Sequence, residues 1–130
     1  MKTIAVVGLS ATAGRPSYNV AAYLQAHGYR IIPVNPGQTE ILGEKAYPDL
    51  KNIPGAVDVV DVFRRPEHVA AVVDETLAIG ARALWLQDGV IDETAAKKAE
   101  DAGLLVVMDD CMLRRHKAHS DPDYAPACEI

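Results

Sequence analysis

The sequence has few cysteines, few aromatic residues and no long apolar run. Its two cysteines, Cys111 and Cys128, are too few for the disulfide framework of a small secreted protein and fit reduced thiols. No apolar stretch approaches the roughly 20 residues that span a bilayer, and the first residues do not follow a signal-peptide pattern. We therefore expect a cytoplasmic protein with no membrane segment and, with aromatics at 5%, an aliphatic core.

Positive charge is also scarce. The chain carries 13 Lys and Arg against 18 Asp and Glu, for a formal net charge of −5. This balance supplies no overall field that would attract nucleic acid or an anionic membrane. An anionic ligand must therefore be held by local groups. The length of 130 residues predicts one domain and leaves no room for a second, catalytic one.

Short apolar runs alternate with longer amphipathic segments along the chain. Most of the runs are continuously apolar, which is typical of parallel strands covered on both faces. They are residues 4–7, 29–34, 57–63, 83–86 and 104–108. The pattern predicts an α/β protein, a Rossmann-like doubly wound parallel sheet of about five strands flanked by helices.

Local signals mark the ends of the helices. Pro16 and Pro66 suit the first turn of a helix, and Asp92 is a candidate N-terminal cap. Gly28 and Gly80 suit helix C-termini.

Two stretches fit the alternation less well. Residues 35–54 contain scattered proline and glycine, so we expect an irregular connection with one helical turn. We assign residues 1–119 to the domain and residues 120–130 to a C-terminal tail, with a last short helix starting near Asp109 or Asp110.

A glycine-rich turn joins the first strand to the first helix at residues 7–17. Gly8 allows a sharp turn, Ser10 and Thr12 offer hydroxyl groups, and the amides that open the helix can face a phosphate. Arg15 can add a charge-assisted contact. The turn predicts a phosphate-bearing ligand, with a plain tight turn as the alternative.

Two common phosphate loops do not match this turn. A Walker loop needs Lys after its last glycine, but Gly14 is followed by Arg15 and Pro16. A dinucleotide fingerprint needs a second glycine where Ser10 stands, and an acid at the end of the second strand, which instead ends in Val34 and Asn35. Triphosphate hydrolysis and NAD-type ribose recognition are therefore disfavoured.

Several motifs together resemble the small CoA-binding domain proteins, which are similar to the amino-terminal domain of the succinyl-CoA synthetase α subunit. The resemblance covers residues 2–117 and keeps the order and spacing of the motifs. The motifs are Gly8-Leu9-Ser10, Arg15-Pro16-Ser17-Tyr18, Val34-Asn35-Pro36, residues 57–66, Trp85-Leu86-Gln87 and Asp110-Cys111.

The resemblance implies coenzyme A or an acyl-CoA as the ligand, bound at the carboxyl ends of the strands. It places the diphosphate at the glycine-rich turn, the adenine and ribose-phosphate after strands two and three, and the pantetheine after strand four. The implied binding residues are Gly8, Leu9, Ser10, Gly14, Arg15, Ser17, Tyr18, Pro33, Asn35, Pro36, Phe63, Arg64, Arg65, Gln87, Asp88 and Gly89.

The chain departs from the family pattern in two places. Gly37 and Gln38 stand where many relatives have a lysine, and Asp110 replaces an arginine before Cys111. Arg15 and Arg64 are therefore expected to be the main cations of the site.

The leading functional hypothesis is a non-catalytic CoA-binding module: a carrier, a sensor or the partner of an acyl-transferring enzyme. In the synthetase, the phosphorylated histidine belongs to a second domain, so this chain alone is not expected to form thioesters. The alternatives are a small NAD(P)- or acyl-CoA-dependent enzyme and an interaction protein that has lost its ligand. A protein partner or homo-oligomer is compatible with all three.

Other reactive residues have mainly structural interpretations. We expect Cys111 to be a buried structural residue rather than a redox centre, and the basic cluster 114–117 to be a solvated helix face. His116 and His119 could form a zinc set with Cys111 and Cys128, but we expect them to be solvated side chains at the end of a helix. The odd spacing of Asp58 and Asp61 in a strand excludes an acid–base pair. We predict no catalytic residues and no metal site.

Overall fold

Parallel strands form the centre of the fold in a computed structural model, which describes residues 3–120. The strands are β1 (Thr3–Val7), β2 (Arg30–Val34), β3 (Glu40–Ile41), β4 (Glu44–Lys45), β5 (Val59–Val62), β6 (Ala83–Leu86) and β7 (Leu105–Val107). The helices are α1 (Pro16–Ala26), α2 (Val69–Ala78), α3 (Glu93–Asp101) and α4 (Met112–Ser120).

The five longer strands lie in the order β2-β1-β5-β6-β7, and every neighbouring pair is parallel. The chain runs from β1 outward to β2 and then returns to place β5 on the other side of β1. The order therefore reverses between β1 and β5, which is where open α/β sheets bind ligands. The predicted Rossmann-like α/β fold is confirmed.

The helix ends follow the sequence signals closely. Pro16 opens α1, and the Asp92 carboxylate caps α3 by accepting a hydrogen bond from the Ala95 amide at 3.0 Å. Pro66 differs slightly, because it begins a 3₁₀ turn, Pro66–His68, that leads into α2. No helix within residues 3–120 has the length and apolar character needed to cross a membrane.

The connection between residues 35 and 54 is more ordered than the sequence suggested. The expected helical turn is present at Leu50–Asn52, but β3 and β4 form an antiparallel hairpin that the sequence did not predict. Each of these strands has two residues, too few to show a periodic pattern. Leu42 and Gly43 make the turn at positive φ angles of 56° and 75°.

The last helix, α4, begins at Met112, slightly later than the predicted start near Asp109 or Asp110. Ser120 is the last residue of that helix, so the helix reaches the first residue assigned to the tail. The rest of the predicted tail lies outside the described residues.

Two aliphatic layers cover the two faces of the sheet. One layer joins the sheet to α2 and α3, and its buried members include Val60, Leu86 and Val73. The other joins it to α1 and α4 and includes Val6 and Leu24.

Asp61 is a buried carboxyl group within this apolar core. It lies in the middle of β5 between Val6 of β1 and Trp85 of β6, and its side chain is fully shielded from solvent. Neither carboxyl oxygen has a hydrogen-bond partner among the described residues. Burial raises the pKa of Asp61 well above its ordinary value of 3.8, because the charged form is poorly solvated there. Asp58, by contrast, accepts a hydrogen bond from the Thr3 amide at the start of β1.

We predict that Asp61→Asn stabilises the protein at neutral pH. The unfolded chain releases the Asp61 proton above pH 3.8, whereas the fold retains it, so this residue costs stability as the pH rises from 3.8 towards its folded pKa. Urea denaturation should give the variant a higher midpoint than the wild type at pH 7 and an equal midpoint near pH 4. Glu100→Gln, at an exposed position of α3, is the control and should show no such difference; a variant that lost stability at pH 7 would contradict the prediction.

Candidate functional site

Three loops meet at the carboxyl ends of β1, β5 and β6 and enclose a cleft of about 410 Å³. The loops follow the strands on either side of the point where the strand order reverses. Ten of the sixteen predicted binding residues line this cleft: Gly8, Ser10, Arg15, Ser17, Phe63, Arg64, Arg65, Gln87, Asp88 and Gly89. Pro16, Pro66 and Val90 also line it and were not predicted as binding residues.

Gly8 is required by the close approach of two strand ends. Its φ angle is +85°, and a Cβ atom at this position would lie 2.3 Å from the carbonyl oxygen of Phe63. Its amide donates to the carbonyl of Val34 at 3.0 Å. A larger residue here would therefore disturb the sheet as well as the cleft.

Short polar side chains hold the turn after Gly8 in place. The Ser10 amide donates to the Ser17 hydroxyl oxygen at 2.9 Å, and the Thr12 amide donates to the Ser10 hydroxyl oxygen at 3.1 Å. The Asn35 side-chain amide donates to the Leu9 carbonyl at 2.9 Å. The turn is thus tied both to α1 and to the end of β2.

The N-terminus of α1 opens on the cleft without a side-chain cap. Arg15 occupies the cap position and makes no capping hydrogen bond, and Pro16, the first helical residue, has no N–H group. The first amides of a helix lack intrahelical acceptors and carry the positive end of the helix dipole. This end of the cleft is therefore suited to an anion.

Arginine supplies the positive charge around the cleft. Within the described part of the chain, neither Arg15 nor Arg64 forms an ion pair, so both guanidinium groups are available to a ligand. Arg65 lies 3.9 Å from Glu67, and both side chains are largely exposed.

A smaller cavity of about 150 Å³ lies beside the cleft, and Arg64 lines both. Its apolar wall includes Pro36, a predicted binding residue, together with Val34 and Leu50. Asp49 and Glu75 also line this cavity.

Five predicted residues line neither cavity. The Leu9 side chain is fully buried, Pro33 is buried within β2, and Tyr18 packs on the layer beneath α1 and α4. Asn35 acts on the turn through its bond to Leu9, and Gly14 is exposed at a φ angle of +92°. Leu9, Gly14 and Asn35 therefore shape the turn, while Pro33 and Tyr18 pack within the fold.

Gln87 and Asp88 connect the cleft to α4. Gln87 is 1% exposed and accepts a hydrogen bond from the Met112 amide at 3.2 Å, while its Nε2 atom has no partner among the described residues. Asp88 accepts two hydrogen bonds from Arg114, at 3.0 and 2.9 Å. The sequence predicted that the basic cluster 114–117 is a solvated helix face. Arg114 departs from that prediction, because its side chain is only 21% exposed and holds the loop after β6.

Asp110 belongs to the same network. Burial alone would raise its pKa, but hydrogen bonds from Arg115, Arg114 and the Cys111 amide lower the pKa below the ordinary carboxyl value. Arg114 and Arg115 thus offset the negative charge of Asp110, which stands where the family pattern has an arginine. Cys111 beside it is fully buried, in agreement with its structural interpretation.

His116 is more enclosed than the sequence suggested. Its Nδ1 atom lies 2.7 Å from the Tyr23 hydroxyl, and its ring packs against His27 with centroids 5.1 Å apart. Burial lowers the pKa of His116, and nearby His27 and His119 lower it further. Among residues 3–120, no group of three or more potential ligands is placed to hold a metal ion, and Cys128 lies outside this range.

These features define a Rossmann-like α/β domain with an uncapped helix N-terminus at its sheet switch point. Comparison with protein families identifies it more closely: residues 2–117 match the model of the CoA binding domain family. The chain belongs to that family.

Two curated relatives differ greatly in length. The protein YneT of Bacillus subtilis is 44% identical over 115 residues, which cover 88% of this chain and 85% of YneT. The ADP-forming acetate–CoA ligase II of Archaeoglobus fulgidus is 33% identical over 101 residues, which cover 76% of this chain but only 15% of the ligase.

Solved structures share the fold. A hypothetical protein from Pyrococcus horikoshii has a TM-score of 0.87 at 40% identity, covering 89% of this chain and 82% of that one. A protein from Thermus thermophilus has a TM-score of 0.86 at 40% identity, covering 89% and 88%. An acetyl-coenzyme A synthetase from Korarchaeum cryptofilum has a TM-score of 0.73 at 23% identity, covering 83% of this chain and 26% of the synthetase, and supports the fold alone.

We predict that Arg114→Gln destabilises the protein by about 2–3 kcal/mol at pH 7, because it leaves Asp88 and Asp110 with fewer charge-assisted bonds. Because the pKa of Asp110 is lowered in the fold, ionised Asp110 stabilises the protein at pH values above its ordinary pKa of 3.8. This stabilisation is lost as the pH falls through the folded pKa. Urea denaturation should show a smaller loss at pH 3 than at pH 7. Lys97→Gln, which breaks an exposed pair with Asp101, should change stability by less than about 0.5 kcal/mol; equal effects of the two variants would contradict the assignment.

Proposed function

We propose that this chain binds coenzyme A or an acyl-CoA in the cleft at the switch point, as a non-catalytic module. The observation that carries the proposal is the uncapped N-terminus of α1, which faces a cleft flanked by Arg15 and Arg64. Membership of the CoA binding domain family supports the choice of ligand.

In this proposal, each part of CoA meets a different wall of the site. The diphosphate lies at the first turn of α1, where amides and Arg15 meet it. The adenine packs against Val34 and Leu50 in the smaller cavity. Arg64 lines both this cavity and the cleft. The pantetheine arm runs towards the loop of Gln87, Asp88 and Gly89.

The side chains that line the cleft are suited to binding a ligand rather than to catalysis. Its one acidic side chain among the described residues, Asp88, is held by Arg114 and is poorly placed to exchange protons with a ligand. The relative whose name describes a ligase is several times longer than the aligned segment. We therefore propose a cytoplasmic carrier, sensor or partner of an acyl-transferring enzyme.

Isothermal titration calorimetry tests the proposal with CoA, dephospho-CoA, NAD and ATP. We expect saturable binding of CoA, and for Arg15→Gln and Arg64→Gln a loss of about ten-fold in affinity each, equivalent to about 1.4 kcal/mol. Arg82→Gln is the matched control, because Arg82 is exposed at the opposite end of the sheet, next to the first residue of β6.

Different results would overturn the proposal in different ways. A preference for NAD over CoA would point to a dinucleotide-dependent protein, and no heat with any ligand would point to an interaction protein. Equal losses of affinity in the Arg82 control and the two cleft variants would remove the cleft as the binding site.

A further inference from the structure

A third cavity, of about 400 Å³, has no residue of the glycine-rich turn in its lining. It opens on the face of the sheet that carries α1 and α4, and reaches the first residues of β5, β6 and β7. The cleft for CoA lies instead where the strands end. The two cavities share no lining residue.

This groove exists because the helices leave the edge of the sheet partly uncovered. β7 is the last strand of the sheet, and its Leu105 side chain is 64% exposed, an unusual exposure for a large apolar residue in this protein. The floor of the groove includes Ala83 and Trp85 of β6 and Val107 of β7, all of which are only partly buried. The floor can therefore accept an apolar group.

The rim of the groove is basic. Arg115, His116 and His119 of α4 line it, and no acidic residue among residues 3–120 does, although acids outnumber bases in the chain. The Arg115 side chain is 66% exposed and uses Nε to bond Asp110, so its two terminal nitrogens have no partner among the described residues. An exposed guanidinium at the edge of an apolar floor is complementary to a carboxylate attached to an apolar body.

We propose that this groove binds a small organic acid whose apolar chain or ring lies on Trp85 and Val107 and whose carboxylate meets Arg115. The volume falls in the range of sites that enclose small molecules. The exposed Arg115 guanidinium favours an anionic occupant over a second copy of the same rim, which would bring a second Arg115 to the interface. This proposal does not rest on CoA binding in the cleft.

Fluorescence of Trp85, the single tryptophan of the chain, reports directly on the groove. Decanoate is the probe, added to the full chain, and decanol is its uncharged counterpart. We expect a saturable blue shift with decanoate and at least about five-fold weaker binding of decanol. Absence of a saturable change, or equal affinity for the two probes, would overturn the proposal.

Two variants separate the rim from the floor. Arg115→Gln should weaken decanoate about five-fold and leave decanol unchanged, while Arg114 continues to hold Asp110. Ala83→Leu should fill the groove and abolish binding of both probes, with the fold checked by circular dichroism and by CoA titration. Val107→Phe serves the same purpose if Ala83→Leu does not fold. Unchanged decanoate binding in a folded, filled variant would remove the groove as the site.

Competing occupants would be detected by two further measurements. Sedimentation that shows a dimer dissociated by decanoate would assign the groove to a second copy of the chain. The residues beyond Ser120 are the other competitor, and Tyr124→Asp removes the one aromatic side chain in that stretch of the sequence. Decanoate binding that occurs only in this full-length variant would assign the groove to those residues. Either result would contradict the proposal, whereas a monomer that binds decanoate with or without the Tyr124 change would support it.

Discussion

The contact between Gly8 and the carbonyl of Phe63 sets the geometry on which the rest of the site depends. With 2.3 Å between that oxygen and the place of a Cβ atom, only glycine lets the end of β1 approach the end of β5. This approach brings the turn after β1 beside Arg64 and points the first turn of α1 into the space between them. The cleft is thus a consequence of backbone packing at the switch point, to which side chains add charge.

The α4 helix supports this arrangement from the other side of the cleft. Arg114 joins the loop after β6 to Asp110, and the Met112 amide bonds Gln87. The negative charges of Asp88 and Asp110 are therefore compensated within the protein and do not oppose an anionic ligand. The same helix places Arg115 on the rim of the separate apolar groove, so one short element shapes both cavities.

The parts of the fold that the sequence predicted correctly depend on local chemistry. Pro16 and Asp92 mark helix starts through backbone requirements that hold in any context, and continuous apolar runs reveal buried parallel strands. The β3–β4 hairpin escaped detection because its strands are too short for a pattern. The burial of Asp61 and the pairing of Arg114 arise from tertiary contacts between distant segments, which a single sequence does not display.

Within the site, the sequence predicted which loops line the cleft but not which side chain of each motif faces it. Leu9, Pro33 and Tyr18 belong to the predicted motifs, but their side chains pack into the fold.

Hydrogen–deuterium exchange with and without CoA tests the central claim most directly, because it reports on each loop in the unmodified chain. The account predicts slower amide exchange on CoA addition in residues 8–17, 63–65 and 87–89, with exchange at the β7 edge and the amino ends of the strands unchanged. Protection confined to that edge, or no protection in any of the three loops at saturating CoA, would contradict it.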